Sequence, residues 1–279
     1  MEAGSIESSF LSLFALITFF IFLIINKFSH KILNGTLLDL NFTKPQAFHT
    51  TPVSRSGGIA CLISFNFFLY IYYLIYSEIL YDYLLISISM FFIGFIDDMR
   101  INIKPFKRLI LMILFLSSII YFLPIKIMNI DIPFLIPLMK NEYFSLVFVL
   151  LCFLFIVNGA NLIDGFNGLL VINLIIINLV LTYINLTSNN TEFSILLISQ
   201  IIILLSFLLF NFPSAKIFFG DSGAYLMGSL VAFNTITTNN LNPNISSFFY
   251  CSLLFYLFFE VLFSFFRKII KKKITNTPR

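Results

Sequence analysis

Apolar runs long enough to cross a lipid bilayer follow one another along almost the whole chain. A helix of about 20 apolar residues spans the hydrocarbon core of a membrane. The pattern therefore predicts an all-α, polytopic integral membrane bundle that forms a single domain over residues 1–279, with about nine transmembrane helices. The predicted helices are centred on residues 9–26, 57–76, 79–96, 108–123, 143–160, 169–186, 193–211, 224–238 and 247–266.

The first apolar run has no features of a cleaved signal peptide. Glu2 and Glu7 precede its centre, where a signal peptide would carry basic residues, and no small-residue cleavage site follows it. We expect this run to be retained as the first helix of the bundle.

Composition and charge agree with a membrane protein and indicate its orientation. Hydrophobic residues make up 59% of the chain and charged residues only 11%, a balance that a soluble domain could not bury. With the N-terminus outside, all basic residues except Lys126 and Lys140 fall in inner segments, as the positive-inside bias requires. This predicts a cytoplasmic C-terminus in the inner membrane. The net charge of +4 then reflects topology and does not indicate a nucleic-acid partner.

Polar residues gather in four connections that this topology places on the cytoplasmic face. Ionisable groups at the ends of membrane helices are costly unless they pair, bind an ion or line an aqueous cavity. Four such clusters on one side predict one shared site. The clusters are "KPQAFHTTPVSRSGG" (44–58), "GFIDDMRINIKPFKR" (94–108), "NGANLIDGFNGL" (158–169) and "FPSAKIFFGDSGAYLMG" (212–228).

The acids in these connections indicate a hard cation. Asp97, Asp98, Asp164 and Asp221 occur without cysteine beside them, and the chain has only two histidines. Carboxylates of this kind bind Mg²⁺ or Mn²⁺ in preference to zinc. A carboxylate-held metal beside basic residues is suited to binding a diphosphate and neutralising charge during phosphoryl transfer. The basic residues of the same loops are Arg55, Arg100, Lys104, Lys107 and Lys216.

Spacing separates these polar residues further. Consecutive residues on a helix point about 100° apart, so Asp97 and Asp98 are expected to do different tasks, one facing the metal and the other a second substrate. Asn158 and Asn161 share one helical face, with Asp164 just beyond them. These three side chains could contact the polar edges of a nucleotide or a sugar.

Other interpretations stay open from the residues alone. A pair of acids at a helix end can be a solvated cap, His49 can be an ordinary loop residue, and Phe218 can simply pack or face lipid. An intramembrane aspartyl peptidase would need Asp82 and Asp221 to meet, although the topology places them at opposite ends of the bundle. A secondary transporter would favour charges near mid-membrane and an internal repeat, and the chain has neither feature.

Taken together and in this order, "HTTPVSRSGG", "DDM", "NGANLIDGFNGL" and "FFGDSGAYLMG" resemble the motifs of the polyprenyl-phosphate N-acetylhexosamine-1-phosphate transferases. The resemblance extends over roughly residues 40 to 267. It implies transfer of a HexNAc-1-phosphate from a UDP-sugar to undecaprenyl phosphate at the cytoplasmic face, with Mg²⁺ or Mn²⁺ as cofactor and UMP as the second product. Such a reaction would initiate O-antigen, capsule or cell-wall synthesis. A homodimer is compatible with the sequence.

The resemblance also implies roles for individual residues. Asp97, Asp98 and Asp221 correspond to catalytic positions, with Asp221 and Asp97 as metal ligands. The pair Asp97 and Asp98 is associated with the lipid-phosphate acceptor, and one of them with its deprotonation. Phe218 matches an aromatic residue that stacks near uracil. The implied substrate-binding residues are His49, Arg55, Lys104, Asn158, Asn161, Asp164, Asn167 and Phe218.

Three departures from the family pattern give the alternative interpretation. Asn167 stands where the family usually has a second acid, and Glu260 stands where the last helix usually has Asp. The chain ends at "KKKITNTPR", without the family's His-rich loop and following helix. A weak or inactive shortened member that acts as a scaffold would show these features. The segments "PVSRSGG" and "GDSGAY" resemble the family members that start surface polysaccharides more than the pentapeptide-transferring member. This resemblance favours a small UDP-HexNAc donor over a pentapeptide-bearing one.

Overall fold

A computed structural model describes residues 2–40, 51–101 and 103–275. Two short strands, β1 (Leu38–Asp39) and β2 (Val53–Ser54), accompany the helices on one end of the bundle. A 3₁₀ turn covers Ile32–Gly35. The α-helices in the described part of the chain are α1 (Glu2–Phe28), α2 (Gly57–Tyr76), α3 (Tyr81–Asp98), α4 (Pro105–Phe122), α5 (Leu135–Met139), α6 (Glu142–Ile163), α7 (Leu169–Thr187), α8 (Thr191–Asn211), α9 (Gly220–Leu241), α10 (Ser247–Leu253) and α11 (Phe255–Thr275).

Every predicted apolar run coincides with a helix or with the pair α10 and α11, so the predicted helical class and helix positions are confirmed. Among the described residues, six helices are long and apolar enough to cross a membrane: α1, α2, α4, α6, α7 and α8. The pair α10 and α11, bent by 62°, makes a seventh if it counts as one span. The helices α3 and α9 lie where two further spans are predicted. The total of nine spans and the orientation stay predictions.

Local sequence explains several helix boundaries. Pro105 opens α4, where its missing N–H costs no hydrogen bond. The Asn141 side chain caps α6 by accepting a hydrogen bond from the Phe144 backbone N–H, with N and O 3.1 Å apart. Ser77 ends α2 in the left-handed conformation that often terminates helices. Each of these signals is readable from a few consecutive residues.

The helix α9 is the centre of the bundle and packs against α2, α3, α6 and α7. Small residues allow this close approach. A Cβ atom added to Gly94 of α3 would lie 2.4 Å from the backbone oxygen of Asp221, and one added to Gly228 would lie 2.9 Å from Cβ of Ala160 on α6. The start of α9 is therefore held directly against the end of α3.

A cluster of uncharged polar side chains joins four helices inside the bundle. Asn234 of α9 donates hydrogen bonds to Oε1 of Gln200 (2.7 Å) and to Oδ1 of Asn178 (3.1 Å), and accepts one from the Tyr83 hydroxyl (2.9 Å). All four residues are buried. Because polar groups in an apolar interior need hydrogen-bond partners, this cluster specifies which faces of α3, α7, α8 and α9 meet.

On the end of the bundle where α3 finishes and α9 starts, the two strands attach the chain before α2 to the connection before α9. The antiparallel pairs are Leu38 with Ser54 and Asp39 with Val53. The Phe218 backbone N–H donates to the Ser54 oxygen (2.8 Å), and the Gly57 N–H donates to the Phe218 oxygen (2.9 Å). Two stretches that the sequence predicts to share a site are thus in backbone contact.

At the opposite end, the connection between α4 and α5 runs along the turn between α9 and α10. Asn240 accepts a hydrogen bond from the Met128 N–H (2.8 Å) and donates one to the Lys126 oxygen (2.7 Å). Asp131 accepts hydrogen bonds from the Ser246 hydroxyl (2.6 Å) and the Ser247 N–H (2.7 Å). These contacts fasten the start of α10 and leave the carboxylates of the predicted site at the other end of the molecule.

Candidate active site

The predicted acids at the end of α3 and the start of α9 meet at one place. Asp97 and Asp98 are the last two residues of α3, and Asp221 is the second residue of α9. The tight crossing at Gly94 brings these helix ends together. The first turn of α4 completes the cluster by supplying a cation.

Arg108 of α4 bridges two of the three acids. Its Nη1 atom donates to Oδ2 of Asp97 at 2.5 Å and to Oδ2 of Asp221 at 2.8 Å. The centre of its guanidinium lies 5.6 Å from the ring centroid of Tyr225, a cation–π distance. Carboxylates of two different helices thus point at a single positively charged nitrogen.

Arg108 is a site residue that the sequence analysis missed. It is the last residue of the polar stretch 94–108, and it was not among the residues predicted to bind substrate or metal. Its position in the first turn after Pro105 places it at a helix end, but nothing in the local sequence distinguishes it from its neighbours Lys104 and Lys107. Arg108 differs from Lys104 and Lys107 only in the tertiary structure, because the direction of α4 turns its side chain toward the acids.

Asp98 has entirely different surroundings from Asp97. It is 1% exposed. Its Oδ1 atom accepts a hydrogen bond from the Asp221 backbone N–H (3.0 Å), and its Oδ2 atom accepts from the Ser222 N–H (2.9 Å) and hydroxyl (2.6 Å). The expectation that the two adjacent acids do different tasks agrees with this geometry.

Arg55 lies beside Asp98 and is itself fixed by β1. Its Nη1 atom is 3.8 Å from Oδ1 of Asp98, and its Nη2 atom donates to Oδ2 of Asp39 at 2.8 Å. Arg55 was predicted to bind substrate, and the structure brings it to the acids. Asp39 was not predicted, because the sequence shows it only as an isolated acid outside the four polar connections.

The end of α6 supplies a second side of the cluster. Asn161 donates a hydrogen bond from Nδ2 to the Tyr225 hydroxyl at 3.1 Å, which joins α6 to α9. Asp164 follows the last residue of α6. Its partial burial, together with the charges of Asp221 and Asp98, holds the pKa of Asp164 well above its usual range. This carboxyl therefore belongs to the same electrostatic environment.

Asn158 makes a different contact from Asn161 in this structure, and its predicted substrate contact stays a prediction. Its Nδ2 atom donates to the Leu154 oxygen of its own helix at 2.7 Å. In contrast, Asn161 reaches across to α9. Residues on one face of a helix can still meet different neighbours, because each contact depends on which helix lies opposite at that level.

Asn167 and a residue missed by the sequence analysis, Asn211, fasten the loop after α6 to the connection before α9. Asn167 donates to the Pro213 oxygen (3.1 Å). Asn211, which is buried, accepts from the Gly168 N–H (2.7 Å) and donates to the Ile217 oxygen (3.0 Å). Asn167 thus has a packing contact, and its predicted substrate contact stays a prediction.

The remaining predicted substrate-binding residues differ in exposure, and one of them lies outside the described part of the chain. Phe218 is partly exposed and precedes Phe219, which is buried with its ring centroid 4.6 Å from that of Phe207. The uracil contact predicted for Phe218 stays a prediction. Lys104 is exposed just before α4. His49 lies outside the described residues.

The acids of the cluster supply part of what a divalent metal requires. Within the described ranges, no group of three or more His, Cys, Asp or Glu side chains is arranged to hold a metal ion. However, Mg²⁺ is commonly held by one or two carboxylates, with substrate phosphates and waters as the other ligands. Asp97 and Asp221 supply two such carboxylates, and the Arg108 nitrogen between them shows that the position favours positive charge. These residues fit a Mg²⁺ ion that binds with its substrate.

Comparison with known proteins gives the class to which this fold and site belong. The family model described as glycosyl transferase family 4 matches residues 80–239, which is more than half of the chain and includes α3, α4 and nearly all of α9. The chain belongs to glycosyl transferase family 4. The resemblance seen in the motifs is confirmed, and the peptidase and transporter interpretations have no support.

Individual relatives agree with this family. Over 183 residues, 56% of this chain, it is 28% identical to the phospho-N-acetylmuramoyl-pentapeptide-transferase of Helicobacter pylori (strain ATCC 700392 / 26695), covering 52% of that protein. It is 26% identical to the enzyme of the same name from Clostridium beijerinckii over 50% of this chain and 46% of that one.

The name of a third relative contains dolichyl phosphate. A Saccharolobus solfataricus protein, provisionally named as a UDP-N-acetylglucosamine–dolichyl-phosphate N-acetylglucosaminephosphotransferase, is 29% identical over 69% of this chain and 59% of its own length. The chain spans about half the length of the curated relatives it matches.

Proposed function

We propose that this protein transfers a HexNAc-1-phosphate from a UDP-HexNAc to undecaprenyl phosphate, releasing UMP at the cytoplasmic face of the inner membrane. The observation that carries the proposal is the convergence of Asp97 and Asp221 on the single cationic nitrogen of Arg108. This cluster lies at the bundle end where the other polar connections also meet.

The bonds that form and break are those of a direct phosphoryl transfer. An oxygen of the lipid phosphate forms a bond to the β-phosphorus of the donor, and the bond from that phosphorus to the oxygen of UMP breaks. The electron pair leaves with UMP. Such a reaction needs mainly positioning of the two phosphates and neutralisation of their charge.

The residues of the cluster supply both requirements. Asp97 and Asp221 would hold Mg²⁺, which would offset negative charge on the donor diphosphate when bound, and Arg108 would then turn from the two carboxylates toward the phosphates. Arg108 and Arg55 add two guanidinium groups, whose planar N–H groups match phosphate oxygens. Asp97 has a partly exposed side chain, which leaves it able to meet an incoming phosphate.

The position of the cluster suits the two substrates. The acceptor phosphate is anchored in the bilayer, and the donor is soluble, so a shared site has to lie at a membrane surface. The clustering of basic residues in the same loops supports the cytoplasmic surface. Asn161, Asp164 and Phe218 lie on the connections that flank the acids and are our candidates for contacts with the nucleotide sugar. The product would start synthesis of a cell-surface glycan.

The proposal is tested with the full chain in lipid nanodiscs, undecaprenyl phosphate and a panel of UDP-HexNAc donors. We expect release of UMP and formation of lipid-linked sugar phosphate in Mg²⁺, and loss of both in EDTA. Asp131→Asn, at the other end of the bundle, is the control that should retain the activity. If no donor reacts although a UDP-sugar binds, the scaffold interpretation replaces this one; if no UDP-sugar binds, the proposed function fails.

A further inference from the structure

We propose that Asp98 is a positioning residue that holds the start of α9, and with it Asp221, while Asp97 is the member of the pair that meets the reacting groups. The inference rests on the proposed function, and it assigns separate roles to two adjacent acids that the motif alone treats as a unit. Its evidence comes from hydrogen bonding, space and charge around Asp98.

The carboxylate of Asp98 caps α9 from another helix. The first N–H groups of a helix have no partner within it, and an anion there is stabilised by these N–H groups and by the helix dipole. Phe219, at the N-cap position of α9, has no side-chain oxygen with which to cap it. The two carboxylate oxygens of Asp98 cap the helix instead. They accept three hydrogen bonds from Asp221 and Ser222.

The backbone around Asp98 is shaped to that carboxylate. Gly220 has a φ of +76°, and a Cβ atom there would lie 2.5 Å from Oδ2 of Asp98. On the far side, a Cβ atom on Gly58 would lie 2.3 Å from the Ser222 hydroxyl oxygen. The carboxylate is thus enclosed by packed backbone, which leaves no space beside its oxygens for a phosphate group.

Charge compensation for Asp98 is also built into the protein. The side chain of Asp98 is 0% exposed, whereas that of Asp97 is 29% exposed. A buried carboxylate needs a cation and hydrogen-bond donors close by. Arg55 supplies the cation and is held in turn by Asp39. Asp97 has no such enclosure and faces the Arg108 nitrogen that it shares with Asp221.

The consequence for the reaction follows from the bond to the Asp221 backbone. Asp98 fixes the N–H of Asp221, while the side chain of Asp221 points to Arg108. Without the cap, the first turn of α9 would fray and move the Asp221 carboxylate relative to Asp97. A displacement of about 1 Å in a catalytic group can reduce a rate by about 100-fold.

The first test measures hydrogen exchange at residues 216–226 of the full chain in nanodiscs. We expect the Asp221 and Ser222 amides to exchange about tenfold faster in Asp98→Asn, because the new amide group presents a donor to the Ser222 N–H. In Ser222→Ala, we expect these amides to exchange severalfold faster. Ser229→Ala is a matched control, since its hydroxyl donates to the Leu226 oxygen of the same helix; it should leave this exchange unchanged. Unchanged exchange in Asp98→Asn and Ser222→Ala overturns the proposal.

The second test measures transfer with the same variants. Ser222→Ala should lower kcat about tenfold and leave the donor KM within about twofold, and Asp98→Asn should lower kcat further. Adding Ser222→Ala to Asp98→Asn should have little extra effect, because both remove the same cap. Loss of transfer in Asp98→Asn with normal hydrogen exchange would assign Asp98 a direct role in the reaction. Full transfer with fast hydrogen exchange would show that the cap does not serve the reaction. Either result overturns the proposal.

The two tests separate the inference from the proposed function. If the wild-type chain transfers no sugar phosphate, the proposed function fails, but the exchange measurement still decides whether Asp98 holds α9.

Discussion

The helices α3 and α9 carry two polar clusters that differ in charge and in exposure to solvent. Inside the bundle, the uncharged side chains of Tyr83, Gln200 and Asn178 each hydrogen-bond to Asn234. At the helix ends, Asp97 and Asp221 share the Arg108 guanidinium, and their side chains are 29% and 20% exposed. Because an ionised group is far more costly to bury than an amide, charge is placed at the end of the bundle. Polarity alone therefore does not mark the site; partly exposed charge does.

The largest expected effect comes from Asp221→Asn in the charged cluster. The change removes one negative charge facing the proposed metal position but keeps the size of the side chain. We expect transfer to fall at least about 1,000-fold, equivalent to about 4 kcal/mol in the activation barrier. UMP release measured alongside thermal unfolding checks this. A variant with normal folding and near-normal transfer would contradict the proposed role.

Arg108→Ala should have the next largest effect. Without its guanidinium, Asp97 and Asp221 lose the cation that they share, and a substrate phosphate loses a donor. We expect kcat to fall by about 100-fold, in the range seen when one charge-stabilising group is removed from an active site. Lys107→Ala, an exposed neighbour on the same helix, is the control. Equal effects of the two substitutions would show that Arg108 has no special role.

Asn234→Leu tests the uncharged cluster. The substitution removes the hydrogen bonds that Asn234 makes with Tyr83 and Gln200, and an unsatisfied buried polar group costs about 1–3 kcal/mol. We expect a lower unfolding temperature and, for the protein that remains folded, transfer within about threefold of wild type. A large loss of transfer with unchanged stability would show that the two clusters are functionally coupled.

The smallest effect is expected at Asp131, a charged group at the opposite end of the bundle. Hydrogen bonds from the Ser246 hydroxyl and then the Ser247 N–H hold the pKa of Asp131 below its usual value of 3.8. A carboxyl with a lowered pKa in the folded state stabilises the fold above its usual pKa, and this contribution disappears as the pH falls through the folded value. Thermal unfolding should thus lose a small stabilisation below pH about 4, and Asp131→Asn should abolish that loss. An identical pH dependence in both proteins would disprove the assignment.

Helix positions were readable from the sequence because each depends on neighbouring residues. The apolar runs located the long helices, and the structure shows that α4 begins at Pro105 and that Asn141 caps α6. The four motifs named the family, and their shared membrane face predicted that Asp97, Asp98 and Asp221 would meet. These inferences needed only local composition, spacing and the order of the segments.

The partners of individual side chains were decided by tertiary structure alone. Arg108 and Asp221 are 113 residues apart, and Asp98 and Ser222 are 124 residues apart. Local patterns contain no information about which helix lies opposite a given side chain. Close packing at Gly94 and Gly220 brings α9 to the end of α3. That contact, more than the motif itself, separates an enclosed Asp98 from a partly exposed Asp97 beside it.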